Sequence, residues 1–395
     1  MTTFEVEESA TCRVASGLLS EAAALQLHRR FGHLLDLEFP NPLHPGCYLL
    51  RSRGWVGQLA LGGLRIDLKP KVPLANLFAM LELAYGFTGL QVFPGAGSSA
   101  SLPQVFGMLA KALARGTLER IHQGLYCEYR ETSGELDCVR GRVLFPPGRR
   151  PGALRCAFQE QSANNPDNQI LVWTLGLLRS YSFADSSVNR QVSLAHRLLA
   201  GVVETTPIRP QDCVGRQYHR LNSDYAGLHG LCRFFLEHRG PLLGAGDHTI
   251  TPFAAHLPTL FERFAARWLA TRLPSRFHLE AQHRAPLDGS PGLAFQIDLV
   301  LREGKRGRAL AVIDTKYRAQ AEPASEELQQ VVAYAVRMGT PRAFLVYPSS
   351  ASRRRRIRVG GVQVQTLRFA LDTDLDTAGE EVLAALLSAV DVHNN

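Results

Sequence analysis

The sequence predicts an α/β protein whose C-terminal part is a mixed sheet flanked by helices, preceded by a β-rich α+β N-terminal domain. Two observations predict this fold class. Short apolar runs at 47–50, 55–61 and 64–68 are separated by glycines, which is typical of strands and tight turns. From about residue 250 onward, strand pairs alternate with helical segments, and this order favours a mixed sheet covered by helices.

The N-terminal domain is predicted to span residues 1–160. A short helix near 20–31 precedes the three apolar runs, and helical spacing follows at 74–86 and 103–122. Strands and long polar loops are predicted between 126 and 158.

The remainder, 161–395, is predicted to be a helical connector followed by a second domain with its core at about 250–370. The connector contains helices at 166–204 and 222–238, the first opening at Asn165-Pro166, where Asn can cap the helix and Pro can occupy its first position. The elements predicted for the second domain are a helix at 258–272, strands at 277–282, 294–302 and 309–314, a helix at 324–338, strands at 342–347 and 356–367, and a helix at 378–390.

Composition and charge limit the class of protein. The chain has 395 residues, 45% of them hydrophobic and 20% charged, with a formal net charge of +8, as expected of a folded protein. The basic surplus favours an anionic partner such as nucleic acid, although arginine richness can also reflect genomic base composition. No signal peptide and no apolar run of roughly 20 residues is evident, and the seven cysteines are scattered. We therefore expect a cytoplasmic protein with free thiols and no membrane partner.

Three polar residues interrupt a predicted apolar hairpin. Asp298 lies in its first strand and Asp314 in its second, while Lys316 follows at the i+2 position and so shares a strand face with Asp314. Buried charges of this kind need partners. A lone Asp-x-Lys would be explained as a structural ion pair, but a second aspartate one hairpin away favours a catalytic site.

Carboxylates are the ligands that Mg²⁺ prefers. We expect Asp298 and Asp314, with the backbone carbonyl of Thr315, to hold Mg²⁺, for which Mn²⁺ can substitute, and Lys316 to orient the attacking water or to stabilise developing negative charge. Glu262, on the preceding predicted helix, is either a further metal ligand or a solvent-exposed residue at the edge of the apolar stripe.

Two further features lie near this hairpin in sequence. Gln330 and Tyr334 are four residues apart on the next predicted helix, so they share a face and either contact the DNA backbone or orient Lys316. Arg353, Arg354, Arg355 and Arg356, with Arg358, are clustered ahead of a predicted strand and either bind phosphates or form a solvated turn.

The order Glu, Asp, Asp-x-Lys and Gln-x-x-x-Tyr resembles the PD-(D/E)xK nuclease superfamily and, in its last element, the RecB-like branch. Ile297 stands where the superfamily usually has proline. The resemblance implies a restriction-endonuclease-like fold and Mg²⁺-dependent cleavage of double-stranded DNA.

A closer resemblance covers residues 50 to 347. The segments 54–72, 125–143 and 156–171 are similar to those of McrC proteins, the nuclease subunits of modification-dependent restriction systems that act on methylated cytosine. The resemblance implies that the N-terminal domain is an adaptor for a hexameric McrB-like AAA+ GTPase and stimulates its GTP hydrolysis. Arg140, Arg142 and the loop 146–152 are candidate partner contacts, or else plain surface.

Two alternative functions are a stand-alone RecB-like repair nuclease and a non-cutting adaptor between DNA and an AAA+ motor. No G-x-x-x-x-G-K-[ST] motif is present, so nucleotide hydrolysis is expected to reside in the partner.

Overall fold

The computed structural model describes residues 2–87, 101–145, 153–238, 253–287, 289, 292–318, 322–348 and 354–391. Contacts divide the chain into two compact units, Met1–Ala84 with Pro252–Asn395 as the first and Tyr85–Thr251 as the second. The domain boundary predicted near residue 160 falls within the second unit and stays a prediction.

The helices and strands follow one another through both units. In chain order they are β1 (Thr2–Glu7), β2 (Thr11–Ala15), α1 (Glu21–Phe31), β3 (Leu35–Glu38), β4 (Cys47–Ser52), β5 (Trp55–Leu61), β6 (Leu64–Lys69), α2 (Leu74–Tyr85), α3 (Leu102–Gln123), β7 (Glu128–Leu136), β8 (Arg142–Val143), β9 (Leu154–Ser162), α4 (Pro166–Leu178), α5 (Ser186–Ala200), α6 (Tyr225–Glu237), β10 (Phe253–His256), α7 (Leu257–Arg272), β11 (Phe277–Pro286), β12 (Ala294–Glu303), β13 (Ala309–Thr315), α8 (Ser325–Met338), β14 (Arg342–Tyr347), β15 (Arg356–Val359), β16 (Val362–Arg368) and α9 (Leu375–Asp391).

In the described part of the first unit, the strands form three sheets. Small sheets with the orders β1-β6-β5-β10 and β2-β4-β3 enclose a core that includes Val6, Leu27, Leu50 and Ile66. The large sheet has the order β11-β12-β13-β14-β16-β15, in which β13, β14 and β16 run parallel and the other pairings are antiparallel. The predicted fold class, a mixed sheet flanked by helices after a β-rich α+β region, is confirmed.

One face of the large sheet is covered by α8. Val331 and Ala335 of this helix form one buried cluster with Val312 of β13 and Leu345 of β14. Because side chains alternate along a strand, Asp314 lies on the same face as Val312, at the carboxyl end of β13.

Among its described residues, the second unit is helical apart from the three-stranded sheet β7-β9-β8. The Asn-Pro turn predicted to open a helix does so, since Asn165 accepts from the backbone of Asn168 and caps α4. The Asp167 carboxylate, which is buried, pairs with Arg216 at 2.5 Å and accepts from Asn222. This turn is thus a structural junction within the unit.

Two predicted elements differ from the structure. The single helix predicted over 166–204 is two helices, because Asp185 accepts from the backbone of Ser187 and starts α5 as a new helix. The strand predicted over 356–367 is the hairpin β15–β16, which turns at Gly360 with a left-handed φ of 58°.

All seven cysteines are free, as expected. Within the described ranges, no helix is both long enough and apolar enough to cross a membrane.

Candidate active site

The candidate site lies where β12 and β13 separate. Their ladder ends at the pair Leu299–Ile313. One residue beyond it, the Asp298 carboxylate takes the place of a backbone partner: its Oδ2 accepts from the Thr315 amide at 2.8 Å and from the Thr315 hydroxyl at 2.9 Å. These two bonds hold the Asp298 side chain against the end of β13.

Asp314 is a buried carboxylate beside Asp298. Its residue is 1% exposed. Lys316 Nζ lies 2.8 Å from Asp314 Oδ2 and forms an ion pair with it. A buried carboxylate requires such a positive partner, because an unpaired buried charge is costly.

The charges of this pair are unequally stabilised. Burial and then the neighbouring Asp298 charge raise the pKa of Asp314 to about 6, against the lowering effect of Lys316. Burial lowers the pKa of Lys316, but its pairing with Asp314 outweighs this effect and the net pKa is raised. Lys316 thus stays protonated, while Asp314 lacks part of the positive charge that its ionised form requires.

A hydrogen-bonded relay holds Lys316 from the other side. Lys316 Nζ donates to Gln330 Oε1 at 2.8 Å, and Gln330 Nε2 donates to the Tyr334 hydroxyl at 2.7 Å. Of the two roles considered for Gln330 and Tyr334, the geometry favours orientation of the lysine. The i, i+4 spacing on α8 makes the relay possible.

Glu262 lies within the electrostatic reach of both aspartates. Burial and then the Asp298 charge raise its pKa to about 7, and Asp314 adds a smaller effect. Its Oε1 accepts from Gln282 Nε2. Of the two readings of Glu262, its partial burial and its interaction with both aspartates favour a side chain directed toward the site.

Gln282 is a functional candidate that sequence reasoning missed. It lies opposite Asp298 in the β11–β12 register, where the pairs Ala281–Leu299 and His283–Ile297 flank it. Its φ is 54°, which is unusual for a residue with a side chain. Gln296 donates to both its backbone and side-chain oxygens. Residues held in such a conformation are concentrated at functional sites.

The site offers some of the ligands that a divalent cation requires. Asp298 and Asp314 supply hard oxygen ligands. Within the described residues, no three His, Cys, Asp or Glu side chains are grouped closely enough to form a metal centre. The two aspartates therefore carry the fit, and Glu262 is coupled to them by charge.

The arginines that were predicted to bind phosphate or a protein partner are not among the residues described around Asp298 and Asp314. Arg354 pairs with Glu381 at 3.3 Å and Arg355 pairs with Glu322, so both charges are offset. In the second unit, Arg140 stacks over the Phe158 ring at 4.3 Å, and Arg142 begins β8. Arg353 and the loop 146–152 lie outside the described residues.

Fold and site together define an α/β protein with two aspartates and a relay-held lysine at one end of a mixed sheet. Residues 50–348 match the family described as McrBC 5-methylcytosine restriction system component. This match covers most of the chain, which therefore belongs to that family.

Two solved structures are similar to this chain, and the first of them supports its fold. One similar chain comes from the refined half-complex of the tetradecameric assembly of Thermococcus gammatolerans McrB AAA+ hexamers with bound McrC. It has a TM-score of 0.58 and 18% identity over 98% of this chain and 100% of that chain. A second comes from the cryo-EM structure of the Thermococcus gammatolerans McrBC complex, with a TM-score of 0.46 and 18% identity over 69% of this chain and 88% of that one. No curated protein matches the chain significantly.

Proposed function

We propose that the chain is the Mg²⁺-dependent DNA endonuclease subunit of a McrBC-like restriction system, cutting DNA that contains methylcytosine. The observation that carries the proposal is the meeting of Asp298, Asp314 and Lys316 at one end of the large sheet. Family membership supplies the context of a 5-methylcytosine restriction system, and the PD-(D/E)xK-like order of residues supplies the reaction class.

Each residue then has a distinct role. Asp298 and Asp314 would hold the metal, while Thr315 anchors Asp298 through its amide and hydroxyl. The bound metal would lower the pKa of a water molecule and neutralise charge on the phosphate under attack. Lys316 orients the attacking water or stabilises negative charge at the phosphate. Gln330, backed by Tyr334, keeps the lysine ammonium in position.

Partner binding is the second half of the proposal. In the similar Thermococcus gammatolerans structure, McrC is bound to McrB AAA+ hexamers. We propose that this chain likewise binds a hexameric AAA+ GTPase and stimulates its GTP hydrolysis.

The three-stranded sheet of the second unit is the candidate contact for that GTPase. Its strands β7 and β9 pair over nine residues each, yet most positions of both are exposed or half-buried. Large apolar side chains lie exposed in or beside it: Tyr129 is 67%, Val139 63% and Phe145 86% exposed. A sheet with so little core of its own is suited to burial against a partner. Arg140 and Arg142, the predicted contacts, lie in the same region.

Lysine replacement tests the nuclease assignment. Methylated DNA is incubated with Mg²⁺, GTP, the AAA+ partner and either the wild-type chain or Lys316→Ala. We expect cleavage to be lost with Lys316→Ala. The matched control is Lys305→Ala, in the β12–β13 turn, which should cut like wild type. Cleavage that survives Lys316→Ala would overturn the assignment, and wild-type protein that never cuts would favour the non-cutting adaptor.

The partner contact is tested separately. Tyr129→Ser/Phe145→Ser should weaken binding to the AAA+ protein and reduce GTPase stimulation. The control is Leu43→Ser, which replaces a side chain that is 84% exposed in the first unit. Equal binding by both variants would place the contact elsewhere, and cleavage without any partner would favour a stand-alone nuclease.

A further inference from the structure

Three arginines form a charged patch at the β15 edge of the large sheet. Arg342 opens β14, while Arg356 and Arg358 lie on β15, the outermost strand. We call these three residues the basic edge patch. They line a surface depression of about 380 Å³ together with Gln363.

Strand register brings the patch together. Gln363 of β16 is paired with Arg342 on one side and with Arg358 on the other. Paired residues project to the same face of a sheet, so these three side chains form a row across three strands. Arg356 joins the same face two residues before Arg358.

The patch lies on the face opposite the candidate active site. The neighbours of Arg342 and Gln363 along their strands, Ala343 and Val364, belong to the cluster beneath α8. Side-chain alternation therefore directs the patch to the other face, whereas Asp314 lies on the α8 face. Whatever binds the patch is not held by the Asp314 site itself.

Among the described residues, the charges of the patch have no ion-pair partner. Neighbouring Arg354 and Arg355 pair with carboxylates. In the part of the chain that the structure describes, Arg342, Arg356 and Arg358 make no ion pair, and no carboxylate lines the depression. Three like charges within a few strand spacings repel one another, and an anionic ligand would relieve that repulsion.

We propose that the basic edge patch binds the phosphate backbone of duplex DNA and so anchors the substrate away from the cutting site. The inference rests on the proposed function only in taking DNA as the substrate. Guanidinium groups bind phosphate oxygens through two parallel hydrogen bonds. A Gln amide between two arginines is a typical additional phosphate contact. Arginines on an edge strand also prevent edge-to-edge association, and the experiment separates these two roles.

The salt dependence of DNA binding measures the patch directly. A fluorescent methylated duplex is titrated by anisotropy with the full chain in EDTA, which prevents cleavage, between about 50 and 200 mM salt. The plot of log K against log salt has a negative slope, and each lost phosphate contact reduces its magnitude by about 0.9. R342Q/R356Q/R358Q is therefore expected to reduce the magnitude of the slope by about 2.7. R342K/R356K/R358K, which keeps the charges, should retain the slope.

A matched control removes the same charge elsewhere. R13Q/R29Q/R30Q replaces three exposed arginines of the N-terminal region and should leave the slope at the wild-type value. Equal slopes for the two glutamine triples would overturn the proposal. If R342Q/R356Q/R358Q kept the wild-type slope but self-associated, the proposal would be overturned, and the arginines would instead serve to prevent edge-to-edge association. Because the chain binds without cutting in this assay, failure of the nuclease assignment would not alter the result.

Discussion

Removal of the Gln330 amide tests how Lys316 is positioned. Lys316 Nζ has two partners, the Asp314 carboxylate and Gln330 Oε1. Gln330→Ala keeps the ion pair and removes one hydrogen bond to a charged group, worth about 1.5–3 kcal/mol. If that loss falls on the transition state, the cleavage rate drops about 10- to 150-fold. Since the Gln330 side chain is exposed, its removal should change stability by less than about 0.5 kcal/mol.

The second member of the relay gives a graded comparison. Tyr334→Phe removes a neutral hydrogen bond to Gln330, worth about 0.5–1.5 kcal/mol, so cleavage should fall about 2- to 10-fold. Because Tyr334 acts only through Gln330, the double variant should cut no more slowly than Gln330→Ala alone.

Single-turnover cleavage and DNA affinity are measured for all three variants with the AAA+ partner and GTP. The relay predicts slower cleavage with unchanged affinity. Additive rate losses, or weaker DNA binding at an unchanged rate, would refute it and assign these side chains to the DNA backbone instead.

Three further perturbations test the fold and the site. His229 is 1% exposed and burial lowers its pKa from 6.5 to about 4, so its contribution to stability is complete above about pH 6.5. We expect the wild-type free energy of unfolding to fall by on the order of 3 kcal/mol as the pH falls toward 4, and that of His229→Gln to fall by less. An equal pH dependence of the unfolding of the two proteins would contradict this. Gln282→Gly relieves a left-handed backbone conformation that costs about 1 kcal/mol or more. The variant should therefore keep or raise Tm and yet cleave DNA more slowly. Unimpaired cleavage would show that Gln282 has no role in the active site. A Cβ at Gly230 would lie 2.3 Å from the Tyr85 carbonyl oxygen, so Gly230→Ala should lower the free energy of unfolding by about 1–3 kcal/mol. The control Gly107→Ala, whose Cβ would have no neighbour closer than 3.7 Å, should leave it unchanged. Equal chemical-denaturation midpoints for the two variants would contradict this packing.

Local pattern predicted much of the first unit. The hairpin that carries Asp298 and Asp314 is evident because its apolar strands flank a polar glycine-containing turn, and the observed β12 and β13 agree with it. Boundaries between neighbouring helices were harder to predict where the sequence marks them only weakly. The break between α4 and α5 depends on a single cap at Asp185, and apolar spacing continues across it.

Contacts that depend on the register of the sheet could not be predicted from the sequence. Arg342 is distant from Arg358 along the chain, and only the shared partner Gln363 unites them. The left-handed backbone of Gln282 likewise has no compositional signal, since glycine is the residue expected there. Gln330 and Tyr334 were predictable because helical geometry alone makes them neighbours.

Metal-dependent cleavage by Asp314→Asn is the most direct measurement of the central claim. The substitution preserves side-chain size and removes the charge of a buried carboxylate. Methylated DNA is cut with increasing Mg²⁺ by wild type, by Asp314→Asn and by Glu326→Gln, a control in the first turn of α8. We expect Mg²⁺-dependent cleavage by wild type and Glu326→Gln and none by Asp314→Asn, with GTPase stimulation intact in all three. Undiminished cleavage by Asp314→Asn would contradict the claim that this site cuts DNA.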